Sequence, residues 1–334
     1  MPRLDVQDFI RLQFDPDTTR AGIDYVLRWL AQPGQRAAPT YDALREQVAE
    51  KAAELAFRRL LESEGIPHRF IESNTFQEAG VFDVSLGGRR TTLCTTLVSG
   101  RKDISRFHHY PARFLGAPAL APAEPHRRPG QGDEDLYLFA FVTGLVTRGH
   151  ASLNRAMQAG QPVYLASLLP PAWASPPQWR AMADLALKSE EEDSLEIEVF
   201  GLDGARRFQS CPVTLPPRAR VNVPAEFHTL TALRANRLPD ARLGLHSPAV
   251  AASPKLLGPL DWHNLWAYGM QVFFVGYQTR GEFGRGAGVL RQGALALGVP
   301  AARQDYLTRP VNTLRPLPEL FDLVHIWEDQ RGKP

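Results

Sequence analysis

The sequence predicts an α/β fold, in which a mixed β-sheet is flanked by helices and followed by a β-containing C-terminal region. In the first half of the chain, segments with helical and strand-like periodicity follow the order helix, three or four strands, helix, strand, which indicates a layered α/β structure. The second half is dominated by β-hairpin and buried-strand patterns, and a proline-rich crossing at 170–179 precedes it. We therefore predict an N-terminal helical segment at 1–38, an α/β domain at 39–170 and an α+β region at 171–334.

Two helices are predicted first. The segment from Thr18 to Leu30 places its apolar residues on one face. A longer helix runs from Thr40, which can cap it, to about Glu64, and Gly65 is a suitable residue to end it. The apolar stripe of this helix consists of Leu44, Val48, Ala52 and Leu55.

Strands are expected next at HRFIES (68–73), VFDVSL (81–86), RTTLCTTLVS (90–99) and DLYLFAFVTGLV (135–146). A Gly87-Gly88 turn joins the second and third of them into a hairpin. The segment 119–135, ALAPAEPHRRPGQGDED, is predicted to be a mobile loop because it is rich in proline, glycine and charge. A short helix at 151–160 and a strand at 162–169 complete this half.

The second half is expected to contain a hairpin over 195–215 that turns at Asp203-Gly204, a buried strand around 265–278 and a final helix over 317–329.

Two segments, one in each half of the chain, have similar sequences. FVTGLVTRG (141–149) and FFVGYQTRG (273–281) match at five of nine positions, so Arg148 and Arg280 are either equivalent functional residues or ordinary strand-end residues.

Composition excludes several classes of protein. The net charge is +2, so no strong overall field attracts nucleic acid, although 33 of the 38 basic residues are arginine, whose planar fork suits phosphate and carboxylate. Cys94 and Cys211 are far apart and form no CxxC motif, so neither a disulfide framework nor a zinc knuckle is expected. Without an apolar leader or an 18-residue apolar run, the expected location is the cytoplasm, with no membrane partner.

The order of elements after Thr40 resembles the restriction-endonuclease-like PD-(D/E)XK nuclease superfamily over about residues 40–170. That core consists of a helix carrying a glutamate, three strands with an Asp on the second and (D/E)xK on the third, then a helix and a further strand. The resemblance implies that Asp83 is a catalytic and metal-binding residue, assisted by Glu46 or Glu54 from the helix, and that Mg²⁺ is the cofactor if the protein is active.

The chain departs from this pattern on the third strand. Strand alternation places Thr92 and Cys94 on one face, at the positions of the acid and the lysine. An alcohol and a thiol supply neither an anionic oxygen ligand for Mg²⁺ nor a positive charge. Metal-dependent cleavage is therefore expected to be lost, and no cofactor is expected.

The glutamates of the helix have a second interpretation. Glu46, Glu50 and Glu54 are four residues apart and share one helix face, roughly opposite the apolar stripe. This arrangement is typical of a solvated outer face, which we predict for most of them.

A basic and aromatic stretch, RKDISRFHHYPAR, follows the third strand, and it suits either nucleic-acid contact or a solvated amphipathic helix. The candidate contact residues are Arg101, Lys102, Arg106, His108 and Arg113.

Two further clusters carry weaker signals. Glu190 to Asp193, beside Lys188, form either a displaced acidic site or a solvated loop. His263 lies in an aromatic stretch without a neighbouring nucleophile motif, which indicates a core position.

Three interpretations remain open. The protein is a nuclease relative that binds DNA, RNA or another protein chain without cleaving, in a DNA-processing or defence context. Alternatively, it is an active Mg²⁺-dependent phosphodiesterase whose site residues have migrated. In the third interpretation it is a scaffold or interaction protein with no enzymatic activity.

Overall fold

A computed structural model describes residues 4–32, 39–70, 84–123, 132–294 and 304–331. The chain forms two compact units, and each is assembled from separate stretches of sequence. Unit 1 comprises residues 1–22, 46–145 and 267–334, and unit 2 comprises 23–45 and 146–266. The units thus interleave along the chain, whereas the boundaries predicted from the sequence divide it into consecutive segments.

The fold is a mixed α/β structure, as predicted. Its α-helices are α1 (Pro16–Leu30), α2 (Tyr41–Ser63), α3 (Arg101–His109), α4 (His150–Gln158), α5 (Pro171–Ala174), α6 (Arg280–Gly286) and α7 (Leu317–Arg331). The strands are β1 (Ile10–Gln13), β2 (His68–Phe70), β3 (Val84–Leu86), β4 (Arg89–Val98), β5 (Pro118–Pro122), β6 (Leu136–Val146), β7 (Leu165–Leu168), β8 (Ala186–Ser189), β9 (Leu195–Leu202), β10 (Phe208–Leu215), β11 (Arg220–Asn222), β12 (Thr229–Ala235), β13 (Leu243–His246), β14 (Lys255–Leu257), β15 (His263–Asn264), β16 (Ala267–Thr279), β17 (Gly288–Leu290) and β18 (Tyr306–Pro310). In the described part of the chain, no helix combines the length and apolar character needed to cross a bilayer.

Unit 1 is built on a six-stranded mixed sheet with the order β1-β16-β6-β4-β3-β2. Strands β2, β3 and β4 form an antiparallel meander, and β4 then pairs in parallel with β6 after a crossover that contains α3. The turn between β3 and β4 uses Gly87 and Gly88, both with positive φ, so the predicted Gly-Gly hairpin is confirmed. Strand β16 extends the sheet from the far end of the sequence.

Helix α2 begins and ends where the sequence predicts. The side chain of Thr40 accepts a hydrogen bond from the Ala43 amide at 3.2 Å, and Gly65 follows the helix with φ +64°. Helix α1 also matches its prediction to within two residues at its N-terminus.

A predominantly aromatic core lies on one face of the unit 1 sheet. The rings of Phe107 in α3 and Phe114 in the following 3-10 helix stack with centroids 4.1 Å apart. Tyr137, Phe139 and Phe141 of β6 belong to the same cluster. These contacts fix α3 against the sheet and leave its polar face outward.

Part of the loop predicted at 119–135 is a strand. Strand β5 pairs with β18, with Ala121 opposite Leu307, so the prediction of a mobile loop is wrong for residues 119–122. Pairing with β18, which is distant in sequence, stabilises β5 as a strand although β5 contains prolines. Residues 124–131 lie outside the described part of the chain.

Unit 2 contains two antiparallel sheets, with strand orders β10-β9-β12-β7-β15 and β11-β8-β13-β14. Alternate side chains from both sheets, such as Ile197 and Val199 of β9 and Leu243 and Leu245 of β13, form one buried core. The predicted hairpin over 195–215 is confirmed as β9 and β10.

Candidate functional site

The hairpin β3–β4 supplies two of the predicted site positions. Thr92 and Cys94 share one face of β4, as predicted, and lie opposite Tyr137 and Phe139 of β6. Both side chains are buried. Burial, and secondarily the negative charge of Glu50, raises the pKa of the Cys94 thiol, so it stays protonated at neutral pH. Asp83, the predicted catalytic and metal-binding residue, lies outside the described residues.

Helix α2 contributes buried charges rather than a solvated outer face. Glu54 is only 8% exposed, and Glu46 and Glu50 are half-buried, so the prediction of a solvated face is wrong for Glu54. The reason is that α2 is enclosed by neighbouring elements around most of its circumference. Alanines make this close approach possible, at Ala49, Ala52, Ala53 and Ala56.

Lys51, which the sequence did not single out, neutralises part of this buried charge. Its Nζ lies 2.7 Å from Oε1 and 2.9 Å from Oε2 of Glu54, and it is 6% exposed. Burial raises the pKa of Glu54 to about 7, since the charge of Glu50 adds to desolvation and Lys51 only partly offsets them. The sequence feature that could have indicated this buried pair is the three-residue spacing of Lys51 and Glu54 within an alanine-rich helix.

Helix α2 packs on the sheet face opposite to Cys94, although the charge of Glu50 still acts on the thiol. The ring of Phe57 in α2 packs against Phe274 of β16 at 5.3 Å, whereas the adjacent Phe273 belongs to the cluster of Cys94. Because neighbouring strand residues point to opposite faces, α2 packs on the face away from Cys94. Within the described ranges, no three His, Cys, Asp or Glu side chains are arranged to hold a metal ion.

The basic stretch after β4 forms a surface, which we call the α3 surface. It is an open pocket of about 390 Å³ at α3 and the following 3-10 helix, lined by Lys102, Ser105, Arg106, His109, Tyr110 and Arg113. The buried rings of Phe107 and Phe114 anchor both helices, so the intervening polar side chains project outward.

Few acidic groups neutralise the α3 surface. Arg106 Nη1 lies 3.4 Å from Asp103 Oδ1, one turn away on the same helix. Across the described ranges, Arg101, Lys102 and Arg113 form no salt bridge, and all three side chains are exposed. Tyr110 is 65% exposed, which is high for a large aromatic residue. Among the described residues, the surface, with the adjacent Arg101, therefore combines three cations that lack an acidic partner with an accessible ring.

His108 differs from the other predicted contact residues. Its Nε2 lies 2.9 Å from Thr143 Oγ1 of β6, and its ring points toward Phe273. Burial and the positive charge of Arg11 lower its pKa, so the imidazole is neutral at neutral pH. His109 and Tyr110, which were not among the predicted contact residues, line the pocket instead. Helical spacing from Lys102 to Arg106 and His109 was the signal that could have found this face.

The two arginines of the internal similarity are not equivalent. Arg148 is half-exposed, and its Nε donates to both carboxylate oxygens of Asp42 at 3.1 and 3.2 Å. Arg280 is 3% exposed and lies over the ring of Tyr137, 5.5 Å from its centroid. This difference favours the interpretation that Arg148 and Arg280 are ordinary strand-end residues, which share a turn sequence but no function.

The remaining candidates have structural roles. Glu191 is buried, and its Oε2 lies 2.7 Å from Nη1 of Arg237, so the acidic cluster contains an internal ion pair. His263 stacks on Tyr41 with ring centroids 3.8 Å apart, and burial lowers its pKa. His263 itself is half-buried, whereas its neighbours Trp262 and Asn264 belong to the buried residues.

Comparison with known proteins adds no relative, because no family model, no curated protein and no solved structure matches this chain.

Proposed function

We propose that this protein binds nucleic acid through the α3 surface, using a nuclease-like domain that no longer cleaves. The observation that carries the proposal is the clustering of Lys102, Arg106 and Arg113 around one open pocket with an exposed Tyr110. Lys102 and Arg113 have no acidic partner among the described residues, and Arg106 has only the 3.4 Å contact with Asp103, so the cluster can attract backbone phosphates, while the accessible ring offers a stacking platform for a base.

The arrangement of unit 1 supports kinship with the PD-(D/E)XK superfamily. In chain order the elements are α2, β2, β3, β4, α3, β5 and β6; because β5 pairs with β18 in a separate sheet, the six-stranded sheet itself has a meander followed by a parallel crossover strand. This succession resembles the helix, three strands, helix and strand of that superfamily. Fold likeness alone gives no activity, so the proposal for function rests on the surface.

The neutral side chains on β4 support the loss of cleavage. Thr92 and the protonated thiol of Cys94 occupy the positions that the resemblance assigns to an acid and a lysine. Without those charges, β4 offers a divalent ion no anionic oxygen and offers the transition state no positive neighbour.

The test is a binding assay by fluorescence anisotropy with labelled single-stranded DNA, duplex DNA and RNA. We expect the triple variant Lys102→Ala, Arg106→Ala, Arg113→Ala to weaken binding by about tenfold to a hundredfold at low salt. The matched control removes three exposed arginines that already pair with carboxylates, Arg207→Ala, Arg218→Ala and Arg291→Ala. Equal affinities of the triple variant and the control would refute the proposed surface.

The buried Lys51–Glu54 pair favours a second candidate, an active phosphodiesterase with migrated residues. A lysine and a carboxylate are the groups missing from β4. Helix α2 carries both, with Lys51 Nζ 2.7 Å from Glu54 Oε1. This candidate predicts Mg²⁺- or Mn²⁺-dependent cleavage of plasmid DNA or RNA, lost in Lys51→Met. Absence of cleavage by the wild-type protein with either metal would exclude it and agree with the first proposal.

A further inference from the structure

The four-stranded sheet of unit 2 has one buried face and one open face. Leu187, Leu243, Leu245 and Leu257 point into the core. The alternate residues on the other face surround a pocket of about 290 Å³, which is near the lower limit for small-molecule sites. Its lining includes Ala186, Lys188, Arg220, Gly244, His246 and Leu256.

Two like charges lie side by side in this pocket. Arg220 of β11 is directly opposite Lys188 of β8 in the antiparallel register, and both are exposed. Directly opposed like charges destabilise a strand pair. In the described part of the chain neither residue forms a salt bridge. Glu190 also lines the pocket and has Arg242 as its partner, with Oε2 and Nε 3.6 Å apart. The two cations are thus available to an external anion.

The floor of the pocket is kept open by a glycine. Gly244 is the neighbour of Lys188 on the other side, in β13. The nearest atoms to a Cβ at this position would be Leu256 Cδ2 at 3.6 Å, the backbone oxygen of Lys188 at 3.8 Å and Lys188 Cβ at 3.9 Å, which are ordinary contacts. Because neither backbone conformation nor crowding requires glycine there, its main structural effect is to leave space above the sheet.

The side of the pocket formed by β14 is apolar. Leu256 of β14 lies opposite Gly244 and is 48% exposed, and Pro254 lies beside it in the lining. An exposed leucine next to a cationic pair suits a molecule that has a charged end and an apolar body.

We infer that this pocket binds a small anionic molecule, with a phosphate or carboxylate held by Arg220 and Lys188 and an apolar part against Leu256. Arginine provides a bidentate fork for either headgroup, and lysine adds a point charge. The inference does not depend on the function proposed for the α3 surface, because it concerns residues of unit 2 alone.

The test uses the full chain and phenyl phosphate, followed through the ¹³C-methyl NMR signals of Leu256. We expect saturable shifts within about 10 mM, and an increase in Kd of about tenfold or more in Lys188→Ala and in Arg220→Ala. Benzoate tests the carboxylate headgroup, and inorganic phosphate, which lacks the apolar part, is expected to bind more weakly than phenyl phosphate.

Two further variants make the test specific. Lys255→Ala removes a cation from β14 outside the pocket lining, and its Kd is expected to stay within about twofold of wild type. Gly244→Val fills the floor without changing charge, so it abolishes binding while urea unfolding shows a stable fold. No saturable shift with phenyl phosphate or benzoate, or equal Kd values for Arg220→Ala and Lys255→Ala, would overturn the inference.

Discussion

Glu54 is a carboxyl group whose surroundings favour the protonated form. Burial raises its pKa from 4.5 to about 7 in the folded protein. Between these two values the folded state holds the proton more tightly than the unfolded chain does. The stability that this proton contributes is therefore complete below pH 4.5 and is lost as the pH rises to 7.

The first prediction follows from this sign. The free energy of unfolding should fall by about 1–3 kcal/mol through this window because of Glu54, and Glu54→Gln should remove most of that fall. Urea unfolding at a series of pH values measures it. The control is Glu62→Gln, at an exposed position of the same helix, and its free energy of unfolding should depend on pH as that of the wild type does. An unchanged profile in Glu54→Gln would show that the carboxyl is not buried.

At the scale of elements, the turn between β3 and β4 packs against the C-terminal helix. A Cβ on Gly87 would lie 2.5 Å from Cε3 of Trp327 in α7, and the φ of Gly87 is +55°. Arg89 at the start of β4 also lies over the Trp327 ring, 4.0 Å from its centroid. The hairpin is thus anchored by a helix from the far end of the chain.

The second prediction compares two glycines with similar backbone conformations. Gly65 has φ +64° and nothing within 4 Å of its Cβ position. Gly65→Ala should cost about 1 kcal/mol for the left-handed backbone, whereas Gly87→Ala should cost about 2–4 kcal/mol because Trp327 must move as well. Chemical denaturation measures both. Equal costs would contradict the contact between the turn and α7.

The sequence predicted those helix ends and turns that are determined by a few neighbouring residues. Thr40 and Gly65 marked the ends of α2, and Gly87-Gly88 marked the hairpin. The burial of Glu54 could not be predicted, because a helix face is solvated or enclosed according to which distant elements cover it. Strand β5 was missed for the same reason, since its partner β18 lies late in the sequence.

The candidate site was predicted less completely. The four arginine and lysine residues proposed from the basic stretch are exposed, and Lys102, Arg106 and Arg113 line the α3 surface. His108 was included because it is adjacent in sequence, but helical geometry turns it toward Thr143. Lys51 was missed because a lysine on a helix gives no local sign of burial.

At the scale of the whole molecule, distant segments complete unit 1. Strand β16 is the neighbour of β6 in the sheet, and Phe273, Val275 and Phe283 from 267–286 belong to the same buried cluster as Phe139. A fragment that ends near residue 170 would lose all three and leave β6 with an unpaired edge.

The third prediction is that residues 39–170 do not fold alone. The expected result is a poorly dispersed amide spectrum and no cooperative thermal transition, while the full chain shows both dispersion and cooperativity. A well-dispersed spectrum from the isolated fragment would contradict the interleaved arrangement of the units.

The fourth prediction concerns the α3 surface, and the salt dependence of nucleic-acid binding tests it most directly. Each cation that contacts a phosphate contributes about 0.7–0.9 to the slope of log affinity against log salt concentration. If Lys102, Arg106 and Arg113 contact the backbone, the slope of the triple alanine variant should be smaller than that of the wild type by about 2–3. Parallel lines for the two proteins, with or without a difference in affinity, would contradict the claim that this surface binds nucleic acid.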